Sequence, residues 1–351
     1  MKGFTLLELL VTMSLTLVLA LLLFSWEADV LRAVRVQPEV MDMSHRGRAG
    51  LDELSKDLLA AGAGVFGAGD AGVLARWVPP IFPHRRGVGG GDEGAAFFTN
   101  RITLLTVEEG MPRALVAGEM RTRADDVPLD ARGCPIGHVT CGFELGNSAL
   151  IFDRLGRFDL FEVRGGWPIV VQHEPSVFSH AYRDEDGAQV VGVKVATYYH
   201  DEERRQLRRT EGSAPSVPVL DDVVGLEFRY SGAAAVPLAP RPPPGEANCL
   251  FDALGAPALA PLVGCGGPLC ELSEAMLTDG PFCGVGAARF DADLYRVRRV
   301  RVKLRVQAVS DELRGVDAWL FRMPGRSRDV RLQAPDFELE LDVTPRNLQI
   351  F

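Results

Sequence analysis

The first thirty residues, "MKGFTLLELLVTMSLTLVLALLLFSWEADV", constrain the fold more than any other stretch of this chain. From Leu9 to Trp26 no residue carries a charge. As a helix, Phe4 to Phe24 would span about 31 Å, one hydrocarbon core. Trp26 suits a membrane interface, and Glu27 and Asp29 then end the apolar run. Glu8 is the anomaly, because carboxylates inside membrane segments are costly and usually functional. A secretory signal peptide fits poorly: its basic region would be Lys2 alone, and no A-x-A-like site follows. A plain anchor leaves Glu8 without a task, unless its carboxylate reaches the headgroups.

The stretch "KGFTLLELLV" closely resembles the prepilin leader of type IV pilins and type II secretion pseudopilins. That family has a basic residue, a Gly at the cleavage site, an N-methylated Phe, and a Glu as the fifth mature residue. Lys2, Gly3, Phe4 and Glu8 occupy those positions here. The resemblance implies that a membrane prepilin peptidase cuts after Gly3, removes residues 1–3, and leaves residues 4–26 as a transmembrane and assembly helix. Cleavage frees a cationic α-amine on Phe4. Glu8 of one subunit can then face that amine on a neighbour. An unpaired carboxylate in an apolar bundle costs several kcal/mol, so the pair Glu8 and Phe4 would set the register between subunits.

Residues 27–62 read as an amphipathic continuation of the helix. Leu51, Leu54 and Leu58 fall at helical spacing, with Asp52, Glu53, Lys56 and Asp57 between them. Pro38 is expected to kink or interrupt this helix, Gly47 and Gly50 to weaken it, and "AAGAG" to end it. Many major pilins carry a Pro near the end of the membrane half, whereas the first Pro here is Pro38.

Residues 63–351 read as a β-rich head outside the cytoplasm. "RWVPPIFPHRRGVGGGDEG" reads as a long loop. Strands are expected at 101–107, at 148–163 as a hairpin about Leu155–Gly156, at 190–210 as a hairpin through "HDEER", and at 221–230. The alternating segment 295–310 reads as a half-buried strand, and 337–347 closes the sheet. Residues 231–290 form a Pro-, Gly- and Cys-rich insertion with little core of its own. A long helix followed by strands predicts an α+β fold, with the helix packed on an antiparallel sheet.

The segments "LDELSKDLLAAG", "VKVATYYHDEERRQLRRT", "LDDVVGLEFRYSG" and "YRVRRVRVKLRV", in that order, look like those of the large PilW-type minor pilins. The insertion lies outside that pattern. The resemblance implies a minor pilin that waits in the bacterial inner membrane with its head in the periplasm, primes assembly of a type IV pilus, and stays at or near the tip. Its implied partners are other minor pilins, the major pilin, prepilin peptidase, the inner-membrane assembly platform and a tip adhesin. A J-type minor pseudopilin of a type II secretion system, or an adhesive module built on the insertion, are the alternatives.

A formal net charge of -9 argues against a nucleic-acid footprint. Six cysteines, Cys134, Cys141, Cys249, Cys265, Cys270 and Cys283, suit disulfides in an oxidising compartment better than free thiols. "CPIGHVTC" sets Cys134, His138 and Cys141 close enough to offer zinc ligands, but no second ligand pair has finger-like spacing, so a short disulfide loop is expected there. The other four cysteines allow three connectivities. Asp184, Glu185, Asp186 and Gly187 suggest a calcium loop but lack its spacing, so a solvated turn is expected. Arg296, Arg298, Arg299, Arg301, Lys303 and Arg305 mainly alternate, which predicts a basic strand face, either solvated or turned to an acidic partner subunit. No G-x-S-x-G, P-loop, H-E-x-x-H or dinucleotide motif occurs, so neither catalysis nor a cofactor is expected.

Overall fold

The long run of helix formers folds as one helix from Leu6 to Ala60, about 82 Å in length. The computed structural model describes residues 5–66, 72–86, 91–108, 110–134, 140–167, 169–174, 178–284 and 286–348. Of the two effects expected of Pro38, a kink or an interruption, the interruption does not occur. A mid-helix proline costs about 3 kcal/mol. Burial of Val36, Met43, Leu51, Leu54 and Leu58 in the core, on both sides of Pro38, offsets that cost.

Gly47 and Gly50 lie on the same docked stripe, and their purpose is close approach. A Cβ on Gly47 would collide with Leu339, and one on Gly50 would sit 3.1 Å from the Leu220 side chain. The two glycines weaken the isolated helix and let it sink onto the sheets. At the far end Gly62 adopts φ 77°, the left-handed exit that suits glycine, and its N–H donates to Leu105 O at 2.9 Å.

Every described ladder is antiparallel, so the molecule is an α+β structure. The expected single sheet is several. A five-stranded sheet runs in the order Val217–Asp221, Gln206–Glu211, Lys194–Asp201, Arg101–Thr106, Ile81–Phe82. A four-stranded sheet runs Leu269–Leu272, Val223–Ala233, Val297–Val306, Phe337–Val343. Together with the helix they enclose the main core.

A further four-stranded sheet runs Arg113–Leu115, Gln189–Gly192, Ser148–Phe152, Phe158–Glu162. Its two faces serve different cores. Leu150 and Phe152 point into the main core, while Ala149 and Ile151 point into a second one with Val127, Phe161, Phe178 and Tyr182. That double burial explains why "SALIF" is apolar at nearly every position rather than alternating. The expected 190–210 hairpin forms between Lys194–Asp201 and Gln206–Glu211, but its start is corrected. Gln189–Gly192 belongs to this sheet, and the chain crosses at Val193 into the five-stranded sheet.

The apolar residues of the 231–290 insertion join the main core. Leu250, Phe251, Leu259, Leu272, Leu277 and Phe290 are all buried in the main core. Leu269–Leu272 pairs with Tyr230–Ala233 and extends the four-stranded sheet. The cysteines pair as Cys134–Cys141, Cys249–Cys283 and Cys265–Cys270. Cys283 lies in the main core and Cys141 in the second, so two of the three bridges tie loops to packed interior.

Candidate functional site

The helix divides by environment. Leu6–Phe24 is long and apolar enough to cross a membrane, and none of it is buried against the rest of the chain. The segment that follows Val36 carries the head. Polar side chains in the apolar part are satisfied within the helix itself. Thr12 Oγ1 donates to Glu8 O at 2.9 Å, Ser14 Oγ to Val11 O at 2.8 Å, and Thr16 Oγ1 to Thr12 O at 2.7 Å. Hydroxyls bonded this way need no water in a hydrocarbon environment.

Glu8 has a local role that the sequence reading missed. Thr5 is the N-cap, and Glu8 is the third helical residue after it. Thr5 N and Thr5 Oγ1 each donate to Glu8 Oε2 at 3.0 Å, while Glu8 N donates back to Thr5 Oγ1 at 3.3 Å. This is a capping box, and the T-x-x-E spacing of Thr5 and Glu8 was its available signal. Gly3 and Phe4 lie outside the described residues, as does His138.

At the junction, polar contacts follow the helix down the head in order. Glu39 Oε1 accepts from Val309 N at 2.7 Å. Arg46 reaches Asp42 at 2.6 Å on its own helix and Asp222 at 3.4 Å on the head. Asp57 Oδ2 accepts from Tyr198 Oη at 2.8 Å and from Arg209 Nε at 3.0 Å, with Lys194 Nζ 3.8 Å from Oδ1. Burial, and then the Asp57 carboxylate, push the Tyr198 phenol well above its ordinary value. The last helical carbonyls are met by Thr106 Oγ1 and Asn347 Nδ2. The stem is thus locked to the head at several points along its docked length.

Asp57 is the best single test of this lock. Asp57→Ala leaves Tyr198 and Arg209 without their shared acceptor and is expected to cost about 2 kcal/mol. Asp57→Asn, which keeps an acceptor for Tyr198, should cost less. Guanidinium unfolding of the full-length protein in detergent measures both, and equal losses would refute the Tyr198 hydrogen bond as a contributor and leave the ion pairs of the carboxylate as the whole source.

The expected basic face is corrected as well. Arg301 meets Asp342 at 2.9 Å and Glu340 at 3.2 Å, Lys303 meets Glu338 at 2.9 Å, and Arg305 meets Asp336 at 2.9 Å. The neighbouring Phe337–Val343 strand supplies Glu338, Glu340 and Asp342, so much of the face is neutralised within the chain. Arg296 and Arg298 do not share the face. Arg296 is 1% exposed and pairs with Asp293.

Acidic clusters are likewise committed to internal partners. Asp186 pairs with Arg157 at 2.6 Å and Glu185 with Arg183 at 3.0 Å, so the 184–187 segment is an ion-paired turn. Asp279, Asp291 and Asp293 place carboxylate oxygens within 4.8 Å of one another. Asp291 accepts from Gly280 N at 2.6 Å and Asp293 N at 2.8 Å, and burial pushes it up to about 6. The Cys134 and Cys141 sulfurs, joined to each other, are not available as zinc ligands.

No known family model, curated protein or solved structure matches this chain.

Proposed function

We propose that this protein is a minor pilin that primes assembly of a type IV pilus and stays at or near its tip. The observation that carries the reading is one unbroken helix, Leu6–Ala60, whose apolar first part is free of the head while its second part is locked into it. Such a part can be held in a bilayer and then transferred, with its head attached, into a bundle of like helices. The prepilin-like residues Lys2, Gly3, Phe4 and Glu8 stand at its start. The role is one of assembly rather than catalysis. Other minor pilins, the major pilin, prepilin peptidase and the inner-membrane assembly platform are its partners in this reading. The same stem would serve a J-type pseudopilin of a type II secretion system.

Intact-protein mass spectrometry of material purified from cells containing a prepilin peptidase tests the reading. A mature chain beginning at a singly methylated Phe4 is expected. An intact Met1, or a cut elsewhere, overturns it. For an adhesive role of the insertion, whole-segment deletion is uninformative because it would remove main-core residues. Exposed Leu254 and Val263 are the positions to change instead.

A further inference from the structure

Within Val297–Val306, charged and apolar residues alternate except at the doublet Arg298–Arg299. The ladder shows why. Ser231 faces Arg299, and the next residue, Gly232, faces Val297, so Arg298 is the unpaired extra residue of a β-bulge. Gly232 is required there, since a Cβ would lie 2.7 Å from both Arg296 O and Leu272 Cδ1. Bulges re-aim side chains and cluster beside functional sites. This one takes Arg298 out of the ion-paired row of Arg301, Lys303 and Arg305.

Arg298 instead lines a cavity of about 380 Å³. Its walls are mainly apolar and include Pro79, Pro80, Val236, Leu238, Val297 and Leu348. The volume is in the range that holds a small organic molecule. Arg298 Nη1 donates to Tyr295 O and Val297 O, each at 2.9 Å, which fixes the guanidinium in place. Its Nε is enclosed with no hydrogen-bond partner. Among the described residues no carboxylate lies within ion-pair distance of it, unlike Arg296, Arg301, Lys303 and Arg305. A half-buried cation without a counter-ion is partly desolvated, and an anion bound beside it recovers part of that cost.

The geometry points to a binding site for a small organic carboxylate with an apolar body, its head on Arg298 and its body against the proline and aliphatic walls. The acid group supplies the missing counter-ion, and the body fills space that polar solvent fills poorly. This site is independent of the stem and of the assembly role proposed for it.

Isothermal titration calorimetry on the full chain in lipid nanodiscs, with empty nanodiscs as the blank, tests the site. The probes are 3-phenylpropanoate and its neutral isostere 3-phenylpropanamide. The acid is expected to bind roughly tenfold tighter than the amide or better, a difference of about 1.4 kcal/mol. Arg298→Met should bring the acid down to the level of the amide. Val236→Trp, which fills the cavity, should abolish binding of both. Equal affinities for acid and amide, no binding of the acid, or an unchanged Arg298→Met overturns the proposal. Circular dichroism verifies the fold of each variant. Should either variant misfold, the acid-to-amide ratio on the unaltered protein still decides.

Discussion

Arg296→Met is expected to destabilise the head by about 3–5 kcal/mol, the cost of leaving a buried charge without its partner. The side chain is 1% exposed and ends a short helical turn, Ala292–Arg296, just before the Val297–Val306 strand. Its Nε pairs with Asp293. Its Nη1 donates to Ala234 O at 3.2 Å and Ala235 O at 2.9 Å, and its Nη2 to Ala260 O at 2.5 Å. One guanidinium therefore holds both the entry of the insertion and its middle against the central strand. Burial pushes the Asp293 carboxyl above its ordinary value despite the adjacent cation, so the pair stands on geometry rather than on cheap charge. Methionine keeps much of the volume and strands Asp293. The double change Arg296→Met with Asp293→Leu should therefore cost less than Arg296→Met alone. Guanidinium midpoints of full-length protein in detergent measure both. A loss under about 1 kcal/mol, the size of an exposed pair, would sink this account of the insertion.

Local periodicity was readable where one element meets one environment. Leu51, Leu54 and Leu58 repeat at helical spacing, and all three are buried on one helix face. The Val300 to Val306 alternation likewise marks a strand with one buried face. Features set by distant residues were not readable. Arg296 looks like any other arginine in sequence, and its burial depends on carbonyls 36 to 62 residues away. Val193 is where the chain changes sheets, but it continues forward without reversing, so no turn residue marks the spot. The apolar residues of the insertion stand singly among prolines and glycines, and only tertiary contact collects them in the core. Pro38 obeyed its local cost, which docking then outweighed. Gly47 and Gly50 read as weaknesses because the strand residues they admit, Leu339 and Leu220, lie far along the chain. At the stem the T-x-x-E spacing of Thr5 and Glu8 stands in the sequence, but inside an apolar run the same carboxylate also fits a charge-pairing role.

Two roles for Glu8 now compete, and they predict different variants. As a cap, Glu8 serves only the Thr5 N–H and hydroxyl of its own chain. In the assembly reading it leaves that cap to meet the Phe4 amine of a neighbouring subunit. Glu8→Ala removes both functions and is expected to reduce incorporation into filaments by at least roughly tenfold, about 1.4 kcal/mol of assembly free energy. Glu8→Gln separates them. Glutamine still accepts from Thr5 and still completes a capping box, but it carries no charge. If charge pairing sets register, Glu8→Gln should fail nearly as badly as Glu8→Ala. Thr5→Ala, which removes the hydroxyl and leaves the carboxylate, should be incorporated almost normally, since a lost cap costs about 1 kcal/mol and the helix is already fixed by its head. Quantitative immunoblots of sheared filaments against membrane fractions read all three. The opposite order, with Thr5→Ala failing and Glu8→Gln tolerated, would make Glu8 a capping residue and remove the intersubunit pair from the assembly mechanism.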